Sequence, residues 1–296
     1  MIQKIYKNDV ELLDSFNELT RKTFWFDFVE WHKAGYFGDM YMPHVIMDNG
    51  KVISNVSVNQ MQFDVGGTIK NYLQLGTVMT EDSYRSHGLN RQIMEFILQE
   101  YKDKVDGIYL FGNDSVLEYY PKFGFEPAKE YEYYIPFKKG ENTDSYQLEK
   151  VDMSDTKQAD KVYALLEENT QNAEVVNEND GLYMSENISL YHFWMDSEYR
   201  DSIYYLPEKN VFVVAGVEDD KLMIYQVIGK EKIDIKKVAG AFEEEFSEVV
   251  LGYTPIHKEE FQVREHKEED CTLFILGEDL KCVEENKMMF PILSHA

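Results

Sequence analysis

LQLGTVMTEDSYRSHGLN (residues 73–90) joins an apolar, strand-like run to a tight basic turn. Beyond it Leu89, Ile93, Phe96, Ile97 and Tyr101 recur at spacings of three and four, the period of one helix face. The order strand, turn, helix aims several unpaired backbone N–H groups, at the positive end of a helix, into one small volume. Such a volume suits an anion, and a phosphate is its usual occupant.

Working outward, residues 2–7 read as a short strand and Val10 to Thr23 as an amphipathic helix, with Leu12, Leu13, Phe16 and Leu19 inward. The aromatic-dense FWFDFVEWHKAGYF (24–37) predicts a second helix ended by Gly35 and Gly38. Strands over 43–48 and 51–65 flank Asp48-Asn49-Gly50, a hairpin turn signal, and Gly66-Gly67 turns the chain into a strand over 69–80. After the helix, GIYLF (107–111) is a short buried strand. Ser115 opens a short helix with Glu118 as capping partner, Pro121 and Gly124 close it, and Phe125 to Phe137 is the last strand of this unit.

The polar run KKGENTDS (138–145) marks a linker, dividing the chain into 1–138 and 146–296. Beyond it the pattern restarts. YQLEKV is strand-like, and an Asp155-capped helix (156–168) carries Val162, Leu165 and Leu166 inward. Next come an aromatic region over 179–200, a hairpin turning at Glu218-Asp219-Asp220, a helix over 234–246, a strand over 249–254, and terminal strands CTLFIL and MMFPIL. The repeated order predicts two copies of one α/β architecture. In the second copy Gly229-Lys230-Glu231-Lys232 stands where the basic turn would be. That copy is therefore expected to lack the anion cradle and to serve structure or shape a substrate pocket.

Of 296 residues, 44% are apolar and 14% aromatic, enough to build large cores. The net charge of −25 repels nucleic acid and anionic membranes. It would also concentrate a cationic substrate such as an amine, although acidity for solubility is the plainer reading. Cys271 and Cys282 match no zinc spacing and read as buried, reduced thiols; the seven histidines are scattered, so no metal is expected. No apolar run approaches the roughly 20 residues of a membrane helix, and MIQKIYKNDVELLDSF has no signal-peptide core. A soluble cytoplasmic protein is expected. The oligomeric state is open, a homodimer included.

Three segments of the first half resemble the GNAT superfamily of N-acetyltransferases. R-S-H-G-L-N (85–90) is similar to the family's [QR]-x-x-G-x-[GA] loop, with Asn90 where Gly or Ala is usual. VMTED occupies the place of its V-x-P segment, with Asp82 where proline is common. N-D-S-V-L-E-Y-Y-P-K-F-G-F (113–125) is similar to N-x-x-A-x-x-x-Y-x-x-x-G-F, with Asn113, Tyr120, Gly124 and Phe125 in register. RSHGLNRQIM with YYPKFGF looks most like the enhanced-intracellular-survival-type branch, whose members carry a second acetyltransferase-like domain. The resemblance implies the acyl-CoA N-acyltransferase fold, a mixed, mostly antiparallel sheet flanked by helices, with a degenerate second domain.

It also implies acyl transfer from acetyl-CoA to a primary amine, here a small cationic one. Val78, Thr80, Arg85, Ser86, His87, Gly88, Leu89, Asn90 and Arg91 would hold coenzyme A, Gly88 letting the backbone come close. Arg85 could instead be a plain surface arginine. Asn113 would orient coenzyme A or cap the next helix. Tyr120 would protonate the departing thiolate, since a phenol stays protonated at pH 7; Tyr119 competes for that role. An ammonium must lose a proton before it attacks, and Glu81, Asp82, Asp27, Glu30 or a water chain could take it. Trp25, Trp31, Tyr36, Phe37 and Glu81 are candidates to line the acceptor pocket, where aromatic faces suit a cation. Two rival readings are a coenzyme A-binding or ligand-sensing module without turnover, and a protein or peptide N-acetyltransferase.

Overall fold

Asn49-Gly50 and Gly66-Gly67 each place two successive residues at positive φ, 48° and 76°, then 60° and 87°. That backbone matches the twist of paired strands and makes tight hairpins. The computed structural model, which describes residues 1–38, 40–140, 144–171 and 181–296, accordingly joins β2 (Tyr41–Asp48), β3 (Lys51–Val65) and β4 (Thr68–Thr80) as an antiparallel meander, with β1 (Ile2–Lys4) on its edge. The linker residues 141–143 and residues 172–180, which include the start of the aromatic region, lie outside the described residues.

Helix α1 (Val10–Phe24) buries Leu13, Phe16 and Leu19 as their spacing predicts. The second predicted helix shrinks to α2 (Val29–Lys33), because Trp25 turns left-handed (φ 62°) and stops α1. Helix α3 (Leu89–Tyr101) buries Ile93, Met94, Ile97 and Tyr101, while Phe96 faces solvent. Strand β5 (Gly107–Gly112) then pairs in parallel with β4. Ser115 does not open the next turn; Asn113 caps it, accepting from Ser115 N at 3.1 Å.

From here the chain departs from the expected division. Residues 125–137 are two strands: β6 (Glu126–Ala128) belongs to the first sheet and β7 (Tyr131–Pro136) to the second. The later strands are β8 (Glu149–Lys150), β9 (Leu182–Met184), β10 (Ile203–Leu206), β11 (Val211–Glu218), β12 (Lys221–Ile228), β13 (Glu248–Leu251), β14 (Gln262–Glu265) and β15 (Thr272–Leu276). The helices among and after them are α4 (Thr156–Gln171), α5 (Ile188–Asp196), α6 (Ile235–Gly240) and α7 (Cys282–Glu285). Helix α6 is shorter than predicted, and MMFPIL forms no strand but an extended run ending in a 3₁₀ turn.

The first sheet runs β1-β2-β3-β4-β5-β15-β6, with β9 added to β3, and the second runs β14-β7-β13-β12-β11-β10-β8. In each, a hairpin leads into a parallel pair, β4 with β5 and β12 with β13. In each, the next strand comes from the other half: β15 completes the first sheet and β7 the second. The sheets therefore do not divide at 138.

The crossing is held at Lys129-Glu130. Tyr131 N donates to Met288 O (3.0 Å), His266 N donates to Glu130 O (2.8 Å), and the buried Glu130 carboxylate accepts from Phe290 N (2.8 Å). Phe290 stacks on Tyr109 at 4.0 Å within the core between the sheets, where Phe63 and Tyr72 meet Val162, Leu166, Tyr191, Phe212 and Val214. A fully buried phenylalanine of this kind contributes about 2 kcal/mol. Cys271 and Cys282 are half-buried, not buried, and are not bonded to each other.

Burial raises the Glu130 carboxyl to about 7 against the donated hydrogen bond of Phe290. A raised carboxyl favours the protonated folded state, so its contribution falls as pH climbs from about 4.5 through 7, by up to about 3 kcal/mol. Glu130→Gln keeps an acceptor for Phe290 N and removes the charge. Its melting temperature should exceed that of the parent at pH 8.5 and lose that advantage near pH 5; a lower value at both would contradict this account.

Candidate active site

Parallel pairing of β4 with β5 runs from Tyr72–Gly107 to Leu75–Leu110 and stops, although β4 continues to Thr80 and β5 to Gly112. The strands part because β4 bulges: between the Asn55–Met79 and Ser57–Gly76 pairs, Thr77 and Val78 face the single residue Val56. Thr77 takes φ 47°, uncommon for a β-branched residue, and is held there by Tyr41 Oη on its hydroxyl (2.7 Å) and Asn55 Nδ2 on its carbonyl (2.7 Å). The fork opens into a cavity of about 1150 Å³.

One side of that cavity is the basic turn. Ser86 (φ 65°) and Gly88 (φ 73°) are left-handed, so the backbone curls just before α3 begins at Leu89. Arg85, Ser86, Gly88, Leu89, Asn90 and Arg91 all line the cavity, as do Val78, Thr80 and Asn113. Asn90, irregular for the motif, accepts from Ser54 Oγ at 2.5 Å and ties the helix start to β3. Asp82 pairs with Arg85 at 2.8 Å on the surface, offsetting part of the turn's charge. His87 does not reach the cavity; its Nδ1 lies 3.1 Å from Tyr84 O. Asn113 uses Oδ1 for the cap, also accepting from Ser115 Oγ at 2.5 Å.

At the fork stands Tyr120. A Cβ on Gly112 would lie 2.9 Å from its ring and 3.3 Å from that of Phe274, so the glycine at the end of β5 makes room for both rings, whose centroids are 5.3 Å apart. Burial pushes its phenol well above the ordinary tyrosine value, with Tyr119 adding to the effect. Tyr119 also borders the cavity, but its buried Oη finds no partner.

The far side of the cavity is aromatic: Phe24, Phe26, Phe28, Trp31 and Tyr41 from the first half meet Phe193 and Trp194 of α5. Trp31 lines the cavity. Trp25 does not: as the left-handed cap of α1 it points outward and is 89% exposed. Tyr36 stacks instead on His192 (3.4 Å), and Phe37 is fully buried among Phe28, Trp31 and Tyr41. Glu81 pairs with Lys22 at 3.4 Å outside the cavity. The other carboxylates considered as bases are likewise paired with cations, Asp27 with Arg21 (2.6 Å) and Glu30 with Lys33 (2.7 Å), and none lines the cavity. Phe24, Phe26, Phe193 and Trp194 carry no sequence signal beyond their aromaticity, and Thr77 carries none at all.

The last residues close the cavity floor. With its amide oriented to match its neighbours, Gln74 donates to Ser294 O (2.8 Å) and accepts from Ala296 N (2.9 Å); Trp194 Nε1 donates to His295 O (2.9 Å), and Ala296 rests on Gly76. His295 stacks on Phe111 at 3.9 Å; burial, with His266 nearby, lowers its imidazole to about 3, so it stays neutral, with Nε2 buried and unpartnered. The second sheet has the matching fork, where β12 and β13 cease pairing after Ile224–Leu251. There Ile292 N donates to Gly252 O (2.9 Å), and the Ile292 side chain lies 2.8 Å from where a Cβ on Gly252 would be, so the space is filled.

Elsewhere, among the described residues, His257, Glu259 and Glu260 bring three potential metal-ligand atoms within 4.8 Å of one another on a largely exposed turn outside the cavity. Among the described residues, no helix is long and apolar enough to cross a membrane.

A family model for an acetyltransferase (GNAT) domain matches residues 13–128. Among solved structures, the fold is similar to a conserved protein from Enterococcus faecalis V583 (17% identity, 94% of this chain and 70% of that one, TM-score 0.56). It is also similar to a GCN5-related N-acetyltransferase from Anabaena variabilis ATCC 29413 (14%, 93% and 72%, TM-score 0.58) and to Eis1 from Mycobacterium abscessus (11%, 92% and 73%, TM-score 0.56). None of the curated proteins matches the chain. At these identities the structures establish the fold.

Gly76→Ala should drive a methyl group into the main chain of Ala296 and unseat the tail. Amide exchange at residues 292–296 should then rise at least tenfold while exchange in β4 and β5 stays protected; unchanged tail exchange would mean that the tail does not depend on Gly76.

Proposed function

We propose, from the match of residues 13–128 to an acetyltransferase (GNAT) domain model, that this protein is an enzyme that moves the acetyl group of acetyl-CoA directly onto a small primary amine in the fork between β4 and β5. The observation that carries the reading is the meeting, in one cavity, of the helix-start cradle, the parted strands and Tyr120. Coenzyme A would lay its pyrophosphate on the backbone N–H groups of Ser86 to Arg91, where the helix dipole adds roughly half a positive charge. Its pantetheine arm would run into the fork and bring the thioester to Tyr120.

The ammonium of the acceptor gives one proton to water. Its nitrogen then attacks the thioester carbonyl, and the C–N bond forms. As the tetrahedral intermediate collapses, the C–S bond breaks and Tyr120 donates its phenolic proton to sulfur. The nitrogen's second proton returns to the phenolate through water. Burial raises the phenol, but it also disfavours a bare thiolate beside it, so the transfer remains matched. The aromatic wall spans both halves, which favours a small acceptor over a protein chain that would need an open groove.

Tyr120→Phe should lower kcat for thiol release by about 10²- to 10⁴-fold, the usual worth of a positioned acid, with the Kd for acetyl-CoA held within twofold. An unchanged kcat would remove Tyr120 from the chemistry. Coenzyme A binding without turnover of any amine would favour the binding-module reading.

A further inference from the structure

On this reading of the cavity, we propose that the acceptor is a monoamine on an aromatic or similarly bulky apolar body, and not a polyamine or a hydroxyl-rich amine. Three observations carry it. First, one wall of the cavity is a continuous run of aromatic rings. Phe26 meets Phe28 at 5.3 Å and Phe193 at 6.1 Å, Phe28 lies 5.7 Å from Phe193, and Phe193 lies 5.3 Å from Trp194.

Second, the polar tips of these aromatics are already engaged inside the protein. Trp31 Nε1 donates to Ser189 O (2.8 Å), Trp194 Nε1 to His295 O (2.9 Å), and Tyr41 Oη bonds the Thr77 hydroxyl (2.7 Å). From that wall an acceptor rich in hydroxyl groups would regain few of the hydrogen bonds it loses to water. Ring faces and edges remain to receive an apolar body and a single cation.

Third, the acidity of the chain is not gathered in the cavity. Although the net charge is −25, Glu198 is the only acidic side chain lining the cavity among the described residues, and it is exposed. The carboxylates of Asp27, Glu30, Glu81 and Asp82 are each paired with a cation nearby. Arg85 and Arg91 border the cavity at the basic turn, each beside its own carboxylate, Asp82 at 2.8 Å and Glu95 at 3.5 Å. Among side chains a polycation would therefore meet one unpaired carboxylate, whereas a monoamine needs only one counter-charge.

The test is thiol release by the full chain with acetyl-CoA and 2-phenylethylamine, spermidine or glucosamine as acceptor, paired with calorimetric titration of the same amines into the coenzyme A complex. For 2-phenylethylamine, kcat/KM should exceed that for the other two by at least about tenfold, the discrimination that apolar contact provides. Phe193→Ala should lower that value about tenfold and leave spermidine little changed. Phe26→Ala, at an exposed ring on the first half, should act in the same direction should Phe193→Ala fail to fold. Higher kcat/KM or tighter binding for spermidine or glucosamine, equal losses for all amines in both variants, or no binding of 2-phenylethylamine would overturn the proposal. Preferred binding of 2-phenylethylamine without thiol release would instead sink the transfer reading and leave the aromatic site standing.

Discussion

One buried carboxylate stands where the chain passes from one sheet to the other. Between β6 and β7 only Lys129 and Glu130 are available for the change of sheet. A burial this deep is tolerated only when the polar groups find partners. Glu130 receives the Phe290 amide on its side chain and the His266 amide on its main chain, and Tyr131 donates to Met288. The crossing is thereby fixed to two segments far along the chain. From it β7 reaches the second sheet, and the run from Met288 onward starts at a defined place. His266 shares the region: burial works against its imidazolium, but the bond to Glu132 at 2.8 Å together with the charges of Glu130, Glu132 and Glu268 raises it.

That run borders two forks of the same design and treats them differently. At Gly252 it inserts Ile292, and the second fork is filled. Four residues later it lies along Gly76 and leaves the first fork open towards Tyr120. The difference between a cavity and a packed core is thus set by side chains arriving from outside each fork, while the parallel pair beneath is alike in both. The same run fixes Trp194, so the aromatic wall of the cavity depends on residues far from the basic turn in sequence.

Much of this was legible in the sequence. The helical period after Gly88, the hairpin turns with Asn49-Gly50 and Gly66-Gly67, and the left-handed turn that Gly88 permits before the helix are local signals, and local signals survive folding. The exchange of β7 and β15 is not local. Strands of similar apolar content are interchangeable to any pattern reading, and only tertiary packing decides which sheet receives them. The pocket failed for the same reason. Trp25 and Tyr36 are as aromatic as Phe26 and Phe193, and a left-handed residue at the end of α1 is what turns Trp25 outward. Glu81 and Asp82 are acidic by sequence, but neutralising partners such as Lys22 become visible only in the fold.

The reciprocal exchange also governs how the protein can be made. Gly112 pairs with Thr272, so a ribosome must add about 160 residues after β5 before its partner emerges, roughly ten to thirty seconds at ordinary elongation rates. Throughout that interval the nascent first half carries an apolar strand edge with unpaired backbone groups, the kind of surface that recruits other chains. Folding domain by domain from the N-terminus is closed to this topology. The first sheet is completed last, by β15, after every strand of the second sheet has been made.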